Sequence, residues 1–472
     1  MSGILFNNIT EINPQTIKKI ISESAERREE MRKLYERYKG TKDGVPILTR
    51  KYKIDNEEQQ GKINNKLAND FFSEITDMKV GFLCGVPISY VLDKELYAEA
   101  VYDKNMKVIQ DFNKQNTIPD VDAECAKIAT ICGITGKLFY YEDAKPRIKI
   151  VKPWELAFIG ETVEAPEITL RIREREEIDA KGKEIEVYCV DVYDSLYVTY
   201  YEKKDKEEDY KQIKQEAHLM PYNPLIGLTN NDEMIGDSEK VLTLIDGYDK
   251  TVSDINSELE QFRLAYLAVK GADITREILE QVKQTGAFSL PIDSDMSFVT
   301  KDINDAIIEH HLDRVEANIY RFSKTPNMND ISFSGDLSGV AMKYKFKSFE
   351  DKCKTAELKF QKSLIQQYKI LTEIWKKQGV SINYLDMDFV FTRNYPQNLM
   401  EEIQFLQTSK GLITEETAFS LVSFITNPEK EASALEEQKQ ANIDEMLANS
   451  QVVNERDDPQ QNKLVKGENV QK

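Results

Sequence analysis

The sequence lacks any apolar stretch long enough to cross a membrane. None of its apolar runs reaches the roughly 18 residues that a spanning helix needs. The start, MSGILFNNITEINPQ, has no basic region followed by an apolar one, so we expect no signal peptide. We therefore expect a protein without a membrane partner.

Histidine and cysteine are scarce and are poorly placed for metal binding. Two of the three histidines, His310 and His311, are neighbours about 100° apart around a predicted helix, so they cannot easily hold one ion. The five cysteines form no close pair: Cys84, Cys125, Cys132, Cys189 and Cys353. Such a scattered, odd set is typical of reduced thiols in a cytosolic protein. The sequence predicts no metal site and no cofactor.

A complete phosphate-binding loop is also missing. The nearest match, GITGKL at 133–138, has too short a spacing, and Leu138 stands where Ser or Thr should follow the lysine. We interpret it as a turn from a helix into a strand. Carboxylates are abundant, but no short set of paired acids with a lysine suggests a catalytic centre, so we expect no enzyme.

What the chain has in excess is negative charge. It carries 82 acidic and 63 basic residues, a net charge of -19 over 472 residues. A single core rarely serves such a length, so we expect about two to four packed units. An acidic balance normally disfavours nucleic acid, because phosphates are repelled.

The first half alternates between helical and β patterns. Residues 14–39 predict an amphipathic helix, 62–80 a second one followed by a turn and a strand, and 97–132 more helix. The stretches GKLFYYED and RIKIVKPWELAFI predict strands. Residues 167–201 are rich in Ile, Val, Thr and Tyr and predict an antiparallel meander, so the fold class is α+β.

The second half is dominated by long helices. A heptad stripe runs from Val241 to Phe262, and a similar helix covers about 303–323, with a compact α/β module at 266–301 between them. The breaker-rich loop KTPNMNDISFSGDLSG leads into a long helix at about 338–378. INYLDMDFVFTR predicts a strand, 396–450 predict helices, and the polar tail beyond 450 predicts disorder.

The long helix contains many lysines, which leaves two interpretations open. Lysine is a good helix former on any exposed face. Alternatively, the loop and the helix approach a polyanion. Spacing favours the first interpretation and does not exclude the second.

The order of these elements and several motifs resemble the portal proteins of tailed bacteriophages, of the type found in siphophages of Gram-positive hosts. The resemblance covers about 15–450. The motifs that carry it are LYERYKG, INNKLANDFFSEITDMKVGFLCGVPISY, GKLFYYED with VKPWELAFI, PLIGLTNND with GDSEKVLTLIDGYDKTVSDI, and SGVAMKYKF with AELKF.

The resemblance implies a mainly helical α+β portal fold and a dodecameric ring at one capsid vertex, with a central channel for double-stranded DNA. It implies that terminase hydrolyses ATP and docks on the ring, and that head-completion or adaptor, major capsid and scaffolding proteins are further partners. The protein would be made in the host cytoplasm and reside in the virion. The implied regions are a wing (1–237, completed by 340–392), a stem (238–265 and 302–325), a clip (266–301), a tunnel loop (326–339), a crown (393–450) and a disordered tail (451–472).

The resemblance also implies two groups of functional residues. The tunnel loop would contribute Asn329, Ser332, Ser334, Gly335, Asp336, Ser338, Gly339 and Lys343. Packing between the stems of neighbouring subunits would involve Val252, Ile255, Leu259, Phe262, Leu312, Val315 and Ile319. Acidic helix faces that repel DNA from all sides would let it slide, so net acidity does not exclude a DNA partner whose task is passage.

Two other function classes stay open at this point. One is a non-viral cytoplasmic scaffold built on helical hairpins that binds proteins rather than DNA. The other, a nucleic-acid enzyme, ranks last because no catalytic constellation stands out. A terminase gene immediately upstream and a capsid gene downstream would favour the portal.

Overall fold

The computed structural model of the protein describes most of the chain. The described residues are 3–9, 11–51, 53–54, 57–58, 63–178, 182, 184–205, 207–262, 266–270, 276, 280, 295–299, 305–328, 339–394, 399–422, 425, 428 and 431–443. They divide into two compact units, Met1–Gly335 with Tyr344–Asn394, and Asp336–Lys343 with Tyr395–Lys472.

The first helix, α1 (Pro14–Tyr38), confirms the prediction for 14–39. The Asn13 side chain accepts a hydrogen bond from the Thr16 N–H, and Pro14 occupies the first turn, where its missing N–H costs nothing. Gly40 follows with φ 66°, the left-handed conformation that ends many helices. Ile17 and Ile20 of α1 are fully buried.

The predicted meander forms most of a six-stranded sheet, in the order β1-β7-β8-β9-β10-β11. Its strands are β1 (Leu5–Phe6), β7 (Leu156–Ile159), β8 (Ile168–Ile178), β9 (Glu184–Tyr193), β10 (Tyr197–Lys204) and β11 (Lys211–Ala217). β7 to β11 pair antiparallel, and β1 joins β7 in parallel. Alternate apolar side chains of this sheet pack on α1 in one core cluster.

The second predicted helix begins later than expected. α2 spans Phe71–Cys84, with the Asp70 side chain accepting from the Ser73 N–H at its start. Residues 63–70 are not helical, and GFLC, predicted as a turn, belongs to α2. The strand after it is confirmed as β4 (Ser89–Leu92), while a short hairpin of β2 (Lys53–Ile54) and β3 (Glu57–Glu58) precedes it.

A second core lies around two helices and a three-stranded sheet. α3 (Glu99–Gln115) and α4 (Ile118–Cys132) confirm the helical prediction for 97–132. The sheet contains β12 (Leu225–Thr229), β5 (Ile134–Glu142) and β6 (Lys145–Val151), in that order. Gly133 ends α4 with φ 85°, and a Cβ there would lie 2.2 Å from the Met234 carbonyl oxygen. GITGKL is therefore a helix-to-strand turn, as predicted.

Two helices follow the sheets. α5 (Leu242–Phe262) and α6 (Asp305–Ser323) pack on each other, and β13 (Tyr266–Lys270) pairs antiparallel with β14 (Asp295–Val299) between them in the chain. These pieces agree with two helices separated by a small module. The short helix and the AFSLPI strand predicted within that module lie largely outside the described residues.

The long helix α7 (Gly339–Lys376) confirms the prediction for 338–378. Its later turns bury Phe360, Leu364, Tyr368 and Leu371 in the core formed with α3, α4 and β5. β15 (Met387–Val390) then pairs with β4, as expected from INYLDMDFVFTR. No helix in the described part of the chain is long and apolar enough to cross a membrane.

The C-terminal unit is helical where it is described. It contains α8 (Leu399–Thr408), α9 (Glu415–Ser420) and a further helix at 431–443. The prediction of helices between 396 and 450 agrees with these segments. The tail predicted to be disordered, from 451 onward, lies outside the described residues.

Candidate functional site

Most of the predicted tunnel loop lies outside the residues that the structure describes. This applies to Asn329, Ser332, Ser334, Gly335, Asp336 and Ser338. Gly339 is the first residue of α7, and Lys343 lies in its first turns. The structure describes both flanks of the loop, which are the end of α6 and the helix α7.

The apolar stripe of α5 changes its environment along the helix. At the start, Ile245 is buried in the core of its own chain, while Val252 and Ile255 are half-buried further along. Leu259 is 54% exposed, and Phe262 is the last residue of the helix. The far part of the stripe therefore leaves apolar surface open on a single copy.

The α6 residues predicted for the same interface also fall into buried and half-buried positions. Leu312 and Val315 are half-buried, whereas Ile319 is 0% exposed and packs in the core cluster that also contains Ile245. The prediction for Ile319 was wrong, because this residue contacts its own chain. Heptad spacing identifies an apolar stripe but not the partner that covers it.

A different face of α5 holds a non-helical segment, residues 63–70, which we call the strap. Three side chains spaced four residues apart on the helix accept hydrogen bonds from three backbone N–H groups spaced two apart on the strap. The pairs are Ser257 with Asn65 (2.9 Å), Ser253 with Leu67 (2.9 Å) and Asp249 with Asn69 (2.8 Å). This ladder replaces the helix that the sequence predicted at the strap.

The ladder is regular because the two backbones have matching repeats. Four residues of helix rise by about 6 Å. Two residues of extended chain advance by about 6.7 Å, so successive N–H groups on one side of the strap meet successive turns of α5. Ser253 also donates to the Leu67 carbonyl oxygen at 3.3 Å. The strap therefore runs antiparallel to α5 without leaving these N–H groups buried and unpaired.

The acidic side chains of α5 are bonded to the region that carries the strap. Asp254 accepts from Arg50 (2.6 Å), and Glu260 accepts from the Asn65 side chain (2.8 Å). Asp246 pairs with the buried Arg37. Burial raises the pKa of the Asp249 carboxyl, although its bonds to Asn69 oppose that shift. These acids, expected to form a channel lining, thus have partners within their own chain.

A buried charged cluster lies where α2, the segment before α5, the end of α6 and α7 come together, and we call it the junction. The Asp237 carboxylate lies between two ammonium groups, that of Lys79 at 3.1 Å and that of Lys352 at 2.8 Å. Lys79, on α2, is 1% exposed and also donates to Asn230 (2.6 Å). Lys352, on α7, donates to the Ser323 carbonyl oxygen at the end of α6 (2.8 Å).

The charges of the junction depend on one another. Burial alone would raise the pKa of Asp237, but the two lysines outweigh it and hold this pKa below its usual value. Burial lowers the pKa of Lys352, with Asp237 acting in the opposite direction. Asp237 and Lys79 both lie in motifs that carried the family resemblance, but sequence reasoning did not single out Lys79. Its available signal was a lone lysine on the apolar face that α2 forms with Ile75 and Phe82.

The lysines of α7 have partners that neither earlier interpretation anticipated. Several pair with carboxylates of the same chain: Lys352 with Asp237, Lys354 with Glu357, Lys359 with Asp232, and Lys362 with Glu164. Lys352, Lys359 and Lys362 therefore fasten α7 to other segments of the chain, whereas Lys354 pairs with a carboxylate of α7 itself. The open choice between an exposed helix face and an approach to a polyanion stays relevant for Lys343, near the loop.

The described residues provide no support for catalysis. They include no group of three or more His, Cys, Asp and Glu side chains placed to hold a metal ion. Lys137, the lysine of GITGKL, is fully buried, with Gln367 at 3.2 Å and Asp122 at 3.8 Å. It cannot reach a phosphate in solvent from there, which agrees with a structural role for this motif.

Known proteins match most of the length of the chain. A family profile described as "Phage portal protein, SPP1 Gp6-like" matches residues 17–445. The portal protein of Bacillus phage SPP1 is 22% identical over 396 residues, which cover 80% of this chain and 76% of that protein. The portal protein of Clostridium phage phiCD119 is 24% identical over 197 residues, covering 40% of this chain and 43% of that protein.

These matches confirm the resemblance that the sequence motifs indicated. The family match begins within α1 and ends beyond the last described helix, so it includes the strap, the junction and the α5–α6 pair. The chain therefore belongs to the SPP1 Gp6-like family of phage portal proteins.

Proposed function

We propose that copies of this chain assemble into a closed, dodecameric ring whose central channel conducts double-stranded DNA during packaging and ejection. The observation that carries this proposal is the family match over residues 17–445, which leaves little of the chain outside the portal family. The ring would form a capsid vertex of the virion after synthesis in the host bacterial cytoplasm. The non-viral scaffold loses its support, because the family match is to phage proteins.

The open apolar surface of α5 supports assembly. Leu259 is 54% exposed, and Val252 and Ile255 are only half-buried on a single copy. A neighbouring copy that covers this surface would remove it from water, and closed symmetry would repeat the same contact around the ring. We therefore retain Val252, Ile255, Leu259, Phe262, Leu312 and Val315 as interface residues and omit Ile319.

The acids of α6 are better placed than those of α5 to face DNA. Glu309 and Asp313 are exposed to solvent, while the α5 acids bond to residues of their own chain. A carboxylate surface attracts no phosphate and releases no counterions on contact, so it would let DNA slide. We propose that α6 contributes the acidic lining of the channel.

The remaining regions of the ring are assigned by the same proposal. Residues 1–237 with 340–392 would form the wing, 238–265 and 302–325 the stem, 266–301 the clip, and 393–450 the crown. The loop 326–339 would narrow the channel around DNA. Terminase would dock on the clip and supply ATP hydrolysis, so we assign no catalytic role to the chain. Head-completion, major capsid and scaffolding proteins would bind other surfaces of the ring.

Particle mass together with negative-stain electron microscopy tests the proposal. We expect rings with a central hole wide enough for duplex DNA and a mass near that of twelve 54.5 kDa chains. Because portal assembly can need partner proteins, a monomeric preparation should be repeated with the scaffolding and capsid proteins co-expressed. A stable closed dimer, or a solid particle under both conditions, would contradict the proposal.

A further inference from the structure

A cavity of about 370 Å³ opens beside the junction. Lys79, Asp237 and Lys352 lie on its wall, so the buried charged cluster faces this space. The rest of the wall comes from the approach to α5, the end of α6 and the first half of α7. Lys240 and Lys324 belong to these segments and are exposed to solvent.

The wall of this cavity carries more positive than negative charge. It contains four ammonium groups, from Lys79, Lys240, Lys324 and Lys352, and three carboxylates, from Glu233, Asp237 and Asp351. Asp351 accepts a hydrogen bond from Lys347 (2.7 Å), which does not line the cavity. A positive excess at one place is unexpected in a chain whose net charge is -19.

The buried part of the cluster also has unused hydrogen-bonding capacity. An ammonium group has three N–H donors. Lys79 donates to Asn230 and Asp237, whereas Lys352 donates to the Ser323 carbonyl oxygen and forms an ion pair with Asp237. One carboxylate therefore serves two buried ammonium groups, which leaves one positive charge without a counter-charge inside the protein. Such an excess is costly unless an anion neutralises it.

We propose that the cavity binds an oxyanion of the phosphate type. The anion would accept charge-assisted hydrogen bonds from Lys352 and Lys79 and would pair with Lys240 and Lys324 at the rim. Inorganic phosphate and a phosphodiester of DNA share this chemistry. The proposal does not depend on ring formation or on DNA passage, because every contributing residue belongs to one copy.

An anion bound at this position would hold together the two helices, α6 and α7, that flank the loop. Lys324 follows the last residue of α6, Lys352 lies on α7, and Lys240 lies in the approach to α5. An anion in contact with all three would join the two helices that flank the loop to the start of the α5–α6 pair. Occupancy would thus stabilise the junction.

Isothermal titration calorimetry of the full chain with inorganic phosphate tests this proposal, with sodium chloride of equal ionic strength as the reference. The variant Lys240→Met with Lys324→Met removes two exposed rim charges and leaves the buried cluster intact. Lys107→Met with Lys250→Met is the matched control, because it removes two exposed lysines that lie away from the cavity. We expect saturable binding that is at least about tenfold weaker in the rim variant and unchanged in the control.

A second titration identifies the source of the ligand. A short DNA duplex is added to the phosphate-loaded protein, and bound inorganic phosphate is followed by ³¹P nuclear magnetic resonance. Displacement in the wild type but not in the rim variant supports a phosphodiester ligand, whereas retention supports free phosphate. The proposal is overturned if the wild type shows no saturable phosphate binding, or if the rim variant and the control bind equally well.

Discussion

The helices α5 and α6 look alike in the sequence, but the structure gives them different surroundings. Both carry an apolar stripe with acids placed mostly off it. On α5 the strap covers the face of Asp249, Ser253 and Ser257, and Asp254 bonds to Arg50 although its side chain stays 54% exposed. On α6, Glu309 and Asp313 are exposed. Acids along one face of a helix can bond to other parts of the same chain. The charge pattern alone therefore does not show what that face contacts.

The largest expected effect concerns the junction, which links the segment before α5 to α7 and to the end of α6. Asp237→Ala should lower the free energy of unfolding by about 3–5 kcal/mol, because it leaves two buried ammonium groups without their carboxylate. Urea unfolding followed by circular dichroism measures this change. Asp232→Ala is the control, since Asp232 pairs with Lys359 but its side chain is 84% exposed, and it should cost no more than about 1 kcal/mol. Equal losses would show that the buried charges of the junction contribute no more to stability than an exposed ion pair.

The next effect separates the covered and open parts of the two apolar stripes. Ile319→Ala should reduce the free energy of unfolding by about 2–5 kcal/mol, because it creates a cavity in the core of a single copy. Leu259→Asp should change the stability of a single copy little but weaken ring assembly, since a charge would be buried without a partner at the interface. Unfolding curves and particle mass distinguish these outcomes. An unchanged particle mass for Leu259→Asp would remove this residue from the proposed interface.

Loss of one hydrogen bond between α5 and the strap should have a smaller and more local effect on stability. Ser253→Ala removes the acceptor of the Leu67 N–H and should cost about 1–3 kcal/mol in local stability, because a part-buried donor loses its partner. Hydrogen exchange at the Leu67 amide should accelerate by about tenfold or more. Thr243→Ala, at an exposed position of the same helix, should leave that exchange rate unchanged. The same rate in both variants would mean that the ladder does not retain the strap.

The smallest expected effect is a change in how the free energy of unfolding depends on pH. The lysines hold the pKa of Asp237 below its ordinary value of 3.8 in the folded state, so its ionisation contributes stability above that value. As pH falls below about 4, this contribution should decrease by about 1.4 kcal/mol per pH unit, because the unfolded chain takes up the proton first. Asp237→Asn should therefore show a shallower loss of stability than the wild type between pH 4 and pH 2. Parallel curves would contradict the charged state of Asp237.

Local patterns predicted the parts of this fold whose partners are near in sequence. The meander β8–β10 follows from alternating side chains and short turns, and α1 follows from its period, its Asn13 cap and Gly40. The strap could not be predicted, because its hydrogen-bond acceptors lie about 180 residues away on α5. Residues 63–70 have no strong local preference that opposes a helix, so only tertiary contacts decide their conformation.

The candidate site was predicted only in part for the same reason. Asp237 lies in a motif that pointed to the portal family, but neither buried partner, Lys79 on α2 or Lys352 on α7, is near it in sequence. Ile319 has the heptad spacing of an interface residue. It is nevertheless buried, because α6 packs against the core cluster that contains residues of β5, β7 and α5. Sequence patterns identify apolar and charged surfaces. Which of these surfaces contact each other can be seen only in the folded chain.

In the proposed ring, α6 rather than α5 presents acids to the channel. Cryo-electron microscopy of the assembled particle, at a resolution that shows side chains, tests it most directly. We expect Glu309 and Asp313 on the channel wall and the strap bound to α5, away from the hole. A ring in which α5 lines the hole with the strap displaced, or a particle with no hole, would contradict it.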